Sequence, residues 1–226
     1  MFEAAAYPPH VGQLSTFAWK PIAIAAAAEE MAPAGFLLWF DSGTVFHGAL
    51  TPMIDSVSAY GIFSLAGQTP LGGCCDERTL AMMGTTEADR REPYRAGGVL
   101  GFDPANALVV DVLRRWRALA LDPDCIAPPG HHRATHRYDQ AILTALLCAA
   151  RRDRGLVIGR DEIDISSLSP VTFVSTRNKV PAWLPTAFDP AARAFYAVWK
   201  RADRAMLRLR ARGQRRASSY PRAYSR

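Results

Sequence analysis

Phe36-Leu-Leu-Trp-Phe40 is an unbroken apolar run of strand length, and it ends on Asp41-Ser-Gly43. A strand that is apolar on both sides of its pleat has to be covered on both faces, which is the habit of strands inside α/β sheets. It also fixes where a polar group can matter. In open α/β sheets ligands bind beyond the carboxyl ends of the strands, and Asp41 stands at such an end.

The chain around this run alternates strand and helix patterns. Pro21 suits a first helical turn and an alanine-rich run follows, so residues 19–31 read as a helix that Pro33-Ala-Gly35 ends. Gly61–Leu65 and Val99–Phe102 read as further strands. Asp103-Pro104 supplies an N-cap and a first-turn proline. Leu108, Val109, Val112, Leu113, Trp116 and Leu119 then recur at helical spacing, which predicts an amphipathic helix over 104–121. Tyr138–Arg152 reads as another helix with Ile142, Leu143, Leu146 and Leu147 inward. Leu156–Ile158 and Val171–Val174 read as short strands, and residues 190–212 as a basic helix. Residues 66–95 read as a surface excursion holding one short helix, Asp76–Met83. The pattern as a whole is that of an α/β sheet flanked by helices.

Composition narrows the class. With 226 residues, 49% hydrophobic and 21% charged, the chain can hold one sizeable core. No apolar run approaches the roughly 18 residues of a membrane span. The start lacks a basic segment followed by an apolar one, so a cytoplasmic location is expected. Cys74, Cys75, Cys125 and Cys148 form no Cys-x-x-Cys pair, which argues for reduced thiols. The net charge of +6 is uneven: residues 193–226 hold eleven Lys or Arg against one acid, residues 1–192 sixteen against twenty. The basic end carries Phe195, Val198, Trp199, Ala202, Met206 and Leu209 on one helical face. Such a helix suits an anionic membrane surface, giving a peripheral protein at the inner membrane, or else packs its apolar face on the domain. The division expected is a domain over 1–189 and a basic helix with a disordered tail over 190–226, with no nucleic-acid partner.

Three polar features lie in order along the chain. Asp41 can hold a divalent cation or cap a turn through Ser42-Gly43. Ala96-Gly97-Gly98 opens a strand, where glycine admits a ligand or another backbone closely, or marks a bulge. His136-Arg-Tyr-Asp-Gln140 starts a helix. Asp139 lies three, four and seven residues before Ile142, Leu143 and Leu146, so it shares their inward stripe. A carboxylate there needs a partner, and sugar hydroxyls are one; a first-turn Asp favoured by the helix dipole is the plainer reading. His131-His132 adjacency is poor zinc spacing.

The order of these features resembles the GT-A glycosyltransferases that use nucleotide-diphospho-sugars, of the glycogenin and lipopolysaccharide-galactosyltransferase kind. It is closer still to nucleotide-sugar transferase-like domains with Trp-x-Asp-Ser/Ala-Gly and His-Arg-x-Asp-Gln motifs. Thr16-Phe-Ala-Trp-Lys20, Asp41, Ala96-Gly97-Gly98-Val99 and Asp139-Gln140-Ala-Ile-Leu143 carry the resemblance, over roughly residues 7–152. It implies a GT-A-like mixed sheet and sugar transfer to a glycan or lipid-linked acceptor, as in polysaccharide biosynthesis. It implies that Asp139 and Gln140 are the catalytic-site residues that read sugar hydroxyls. The donor would lie against Lys20, Asp41, Arg95, Ala96, Gly97, Gly98 and His136. Lys20 and Arg95 would neutralise phosphate, and Asp41 would hold Mg²⁺ or Mn²⁺ weakly and with the donor present. Catalysis of this kind is positioning and neutralisation of a leaving diphosphate.

The chain departs from that pattern at three points. Gly43 stands where a second metal-binding acid belongs. Lys179-Val-Pro-Ala-Trp183 is a faint echo of a late phosphate-binding motif. In that pattern the acidic element follows about a hundred residues of nucleotide-binding βαβ structure, whereas here it arrives at position 41, so the first nucleotide-binding strands are expected to be missing and an unpaired edge to lie beside Phe36–Phe40. The missing donor-site strands favour the second reading, a non-catalytic carbohydrate-binding or scaffold protein on the same fold.

Overall fold

A computed structural model describes residues 6–31, 35–42, 44–46, 49–158 and 173–175. By its internal contacts the chain divides into residues 1–175 and 176–226, and every described residue belongs to the first unit. The basic helix expected over 190–212, the tail and Lys179 lie outside the described residues.

The centre is a three-stranded sheet in the order β1-β4-β3, built from β1 (Leu37–Phe40), β3 (Ile62–Pro70) and β4 (Pro93–Phe102). A separate pair joins β2 (Thr44–Phe46) to β5 (Phe173–Ser175). The molecule is α/β as expected, but the mixed sheet is not found: among the described residues every pairing is antiparallel. The reason lies in the connections. The segment after β3 turns back, so β4 runs against β3, and β1 then pairs along the other side of β4 from Leu37↔Phe102 to Phe40↔Val99.

The all-apolar β1 follows from coverage on both faces and not from parallel pairing. Leu37 and Trp39 point to the side of Ile62, Leu100 and Phe102, while Phe36, Leu38 and Phe40 point to the side of Phe63, Leu65 and Val99. This is the period of two inherent to a strand. The first face is covered by α1 (Trp19–Met31), α5 (Ala107–Ala120) and α7 (Asp139–Arg154). α1 packs on α5, and α5 on α7. The second face is covered by α2 (Thr51–Tyr60) through Met53 and Val57. β1 is half-buried along its length and, among the described residues, pairs with β4 alone.

Several boundaries move for identifiable reasons. α5 starts at Ala107 and not at Pro104, because Asn106 is the residue that caps it, accepting from Leu108 N at 3.0 Å and Val109 N at 3.4 Å. Asp103 is held to the end of α2 by its N–H on Gly61 O (2.8 Å), and its carboxylate closes a turn on Ala105 N. The inward stripe of Val109, Val112, Leu113 and Trp116 is as the spacing predicts. Leu156–Ile158 is not a strand. Gly155 takes φ +69° at the end of α7, and Leu156 N returns to Ala150 O at 3.2 Å. Gly155 N also bonds to Arg151 O, so the chain closes the helix end through a left-handed glycine and places the apolar Leu156 on the core.

Much of the expected excursion over 66–95 is strand. β3 runs on to Pro70 and β4 begins at Pro93, with register breaks on both sides of Ala66↔Arg95. The Gly and Pro content that argued for a loop reflects this irregular pairing. The remaining span holds α3 (Glu77–Met82), capped by Asp76, and α4 (Glu87–Arg91), where Thr86 and Asp89 form a capping box. A short helix, α6 (Pro123–Ile126), follows α5. Among the described residues no helix is long and apolar enough to cross a membrane.

Gly61 and Gly130 take almost the same backbone angle, φ +77° and +78°, in different surroundings. A Cβ on Gly61 would come within 2.5 Å of the Asn106 amide that caps α5, whereas one on Gly130 would meet nothing within 4 Å. Gly130→Ala is therefore expected to cost only the left-handed backbone, about 1 kcal/mol. Gly61→Ala should cost roughly 2 kcal/mol, because the cap is lost as well. Urea melts of the two variants check this, and equal losses would remove Gly61 from the α2–α5 contact.

Candidate functional site

Four sequence features separated by up to 120 positions converge on one ammonium. Lys20 stands in the first turn of α1 and is 1% exposed. Its Nζ donates to Asp41 Oδ1 at 3.0 Å and to the Gly97 carbonyl at 3.1 Å, and it lies 3.6 Å from Asp139 Oδ2. Two aromatic rings close the remaining sides, Phe17 with its centroid at 5.5 Å and Trp39 at 5.8 Å. A buried charge is tolerated only when it is paired and hydrogen-bonded, and this one is both.

Each partner is placed by its own element. Asp41 follows β1 directly, with its N–H on Gly98 O at 2.8 Å. Its backbone carbonyl accepts from Thr44 N at 2.9 Å, which turns the chain towards β2. The turn and the site therefore coexist, one made by the backbone and the other by the carboxylate. Trp39, two residues earlier and on the same side of the strand, donates Nε1–H to Asp41 Oδ1 at 3.1 Å. The three residues Ala96, Gly97 and Gly98 lie inside β4, and each offers its carbonyl to a different group: Ser64 Oγ at 3.4 Å, Lys20 Nζ and Asp41 N.

Asp139 and Gln140 form the start of α7, 1% and 7% exposed. The Asp139 carbonyl accepts from Trp116 Nε1 at 2.9 Å, and the Gln140 carbonyl from Thr144 Oγ1 at 2.6 Å. Gly97 is required here. A Cβ at that position would stand 2.9 Å from both Asp139 Oδ2 and Gln140 Cγ. The closeness that the glycine permits is thus filled by the protein's own α7 side chains. Arg95 is tied in as well, its N–H on Thr144 Oγ1 at 2.8 Å and its guanidinium on Ser64 O at 3.1 Å.

Two carboxylates meet one ammonium here. Lys20 and Asp139 are enclosed, while the Asp41 side chain keeps 25% of its surface. The accessible chemistry is therefore the carboxylate of Asp41, bordered by Trp39 and the half-buried Trp19, whose rings are 6.0 Å apart. This arrangement can accept hydrogen bonds from hydroxyls. It does not by itself fit a divalent metal: one carboxylate is at hand and its Oδ1 already takes two donors. Among the described residues no group of three or more His, Cys, Asp or Glu is gathered.

His136 is placed differently from the other expected site residues. Its ring is fully buried, Nδ1 accepts from Asp76 N at 3.1 Å, and Nε2–H donates to Ile126 O at 3.1 Å. Both nitrogens are taken by backbone, so the ring is a neutral strut between the α3 and α6 segments. Burial holds its pKa below the usual histidine value, against the opposing pull of the Ile126 bond and of Asp76. His131 and His132 are each spent on local turns, at Pro128 O and Ala134 N. The four cysteines are free and buried. Burial pushes Cys74 and Cys148 up to about 11 and Cys125 to about 12, and raises Cys75 as well, so none is a thiolate near neutrality.

Phe17 and Tyr138 are site residues that pattern reading does not single out. Among the described residues they are the two non-glycines with positive φ, +56° and +49°. Phe17 O accepts from Lys20 N at 3.1 Å, and Tyr138 directly precedes Asp139. Their rings are 6.1 Å apart. Conformations of this kind cost on the order of 1–3 kcal/mol each and persist where the surroundings over-determine them. No sequence pattern signals them, because neither residue type favours that backbone region.

Lys20→Met is expected to destabilise the protein by about 3–5 kcal/mol, since it leaves two carboxylates without their cation. Asp139→Asn added to it should recover part of that loss, and additive losses in the double-mutant cycle would show that Lys20 and Asp139 are not coupled. His136 gives a pH dependence of the opposite sign to a histidine that gains a carboxylate. Its folded pKa lies below the unfolded 6.5, so its contribution is complete above pH 6.5 and is lost as pH falls from there through the folded pKa. The loss should stay below the one-proton limit of about 1.4 kcal/mol per pH unit and disappear in His136→Gln; an unchanged slope in that variant would refute the assignment.

No protein-family model matches the chain, and no curated protein and no solved structure matches it.

Proposed function

We propose that the Lys20–Asp41–Gly97–Asp139 cluster is the sugar site of a GT-A-like transferase that moves a sugar from a nucleotide-diphospho-sugar to a glycan or lipid-linked acceptor. The observation that carries this reading is convergence. The four short features whose order resembles such enzymes lie far apart in the chain, yet their side chains and carbonyls meet within 3.6 Å of one nitrogen.

In this reading Asp41 and Gln140 read sugar hydroxyls, Asp41 as an acceptor and Gln140 as donor and acceptor. Asp139 acts with Lys20 to hold that surface. Lys20 is the internal counter-ion of the two acids and not the phosphate contact that the resemblance implies, because its ammonium is enclosed by oxygen acceptors. Trp19 and Trp39 give the apolar wall on which a sugar ring lies. The rate comes from holding donor and acceptor in line. Mg²⁺ or Mn²⁺ enters with the donor, since the protein alone offers one carboxylate.

The second reading is a protein on this frame that binds carbohydrate without turnover. The enclosure of Asp139 and the filling of the Gly97 space by Asp139 and Gln140 favour it.

Release of nucleoside diphosphate from a panel of nucleotide-sugars, with and without Mg²⁺ or Mn²⁺, separates the two. Turnover that Asp139→Asn reduces at least about tenfold, the worth of one charged hydrogen bond, is the expected result. The variant should keep its melting transition, because Asn preserves the shape and Asp41 still pairs Lys20. Saturable glycan binding without release would establish the second reading. Full activity in Asp139→Asn would take that residue out of the site.

A further inference from the structure

Lys20 is enclosed by its own acceptors, so an anionic ligand beside Asp41 needs cations from elsewhere. Two stand in the turn that leads into α7. Arg133 is exposed, with its guanidinium carbon 5.5 Å from the centroid of the Phe17 ring. Lys20 Nζ is 5.5 Å from the same centroid, so the two cations are at most 11 Å apart. Arg137 is half-buried and lies 5.1 Å over the ring of Tyr94, whose edge in turn covers Gly67.

Neither guanidinium has an ion pair or a hydrogen bond among the described residues, and the buried Nε of Arg137 has no acceptor. Arg90, Arg91, Arg117, Arg151, Arg152 and Arg154 each hold a carboxylate, while among the described residues the exposed Arg78, Arg114 and Arg115 hold none; what distinguishes Arg137 is that its unpaired nitrogen is buried. A buried guanidinium nitrogen left without an acceptor calls for one. The turn itself is fixed. Thr135 N and His136 N both bond to His132 O at 2.8 Å, and Arg137 N bonds to Cys74 O at 2.8 Å. Stacking on an aromatic ring occupies the face of a guanidinium and leaves its N–H edge for the paired oxygens of a phosphate.

We propose that Arg133 and Arg137 are the diphosphate-reading residues of this site, taking the phosphates of a nucleoside diphosphate while the Asp41 side takes the sugar. The assignment rests on the sugar-transfer reading for the identity of the ligand, though not for the anion chemistry. The test is calorimetric titration of the full chain with UDP, GDP, ADP and dTDP and with inorganic pyrophosphate. The variants are Arg133→Ala, which alters an exposed side chain, and Arg137→Lys, which keeps the charge and the stem. Arg114→Ala, exposed on α5, is the control. Binding of at least one nucleoside diphosphate, weakened about tenfold in Arg133→Ala and several-fold in Arg137→Lys with Arg114→Ala unchanged, is the expected result. If the protein binds a nucleoside diphosphate and both turn variants bind it as tightly, the arginine assignment is overturned and the sugar-transfer reading stands. Arginine-dependent binding of pyrophosphate without any nucleoside diphosphate keeps the anion site and removes that reading. Binding of none of the probes overturns both.

Discussion

The first unit is organised around an ammonium placed where water does not reach it. Bringing a lysine and a carboxylate out of water costs several kcal/mol per ion, and the attraction between them returns this only if the geometry is held closely. Here α1 supplies the cation, the end of β1 one acid, the middle of β4 a carbonyl and the start of α7 the other acid. Any shift of one element against another would leave a charge stranded. The cluster therefore fixes the relative positions of α1, the sheet and α7, which the apolar core by itself would specify less sharply.

The backbone around the cluster is consistent with that demand. Phe17 and Tyr138 are held in a backbone region that their side chains disfavour, Phe17 three residues before Lys20 and Tyr138 directly before Asp139, the two most enclosed charges. Their rings touch, and Tyr138 also leans on His131 and on His136, the neutral strut between two other segments. Local strain is sustained by packing contributed from elsewhere, which is the arrangement found where a chain spends stability on placing functional groups. The aromatic rings also exclude water from the ammonium, which strengthens its attraction to both acids.

Legibility in the sequence followed the range of the interaction. The α1, α5 and α7 helices were readable because their apolar periodicity is local. The α5 start was not, since Asp103 and Asn106 both make acceptable caps and the choice fell to the bond from Asp103 N to Gly61 O. Leu156–Ile158 looked like a strand because a single apolar residue after a glycine serves a helix end equally well. The lengthened β3 and β4 were hidden by Gly67, Pro70 and Pro93, whose register breaks depend on the partner strand. Within the site, Asp139 was visible as a carboxylate on an apolar stripe. The glycine pair was visible as well, although which neighbour it admits was not.

By itself the sequence determined the apolar stripes and the order in which Lys20, Asp41, Gly97 and Asp139 occur. These depend on residues within a turn or two of each other, where periodicity and side-chain chemistry suffice. Tertiary structure decided the antiparallel sheet, the enclosure of Lys20, the withdrawal of His136 from the site and the strained backbone of Phe17 and Tyr138. Each of these depends on groups well beyond a turn or two of helix, whose meeting is set by packing and by the cost of leaving a buried charge unpaired.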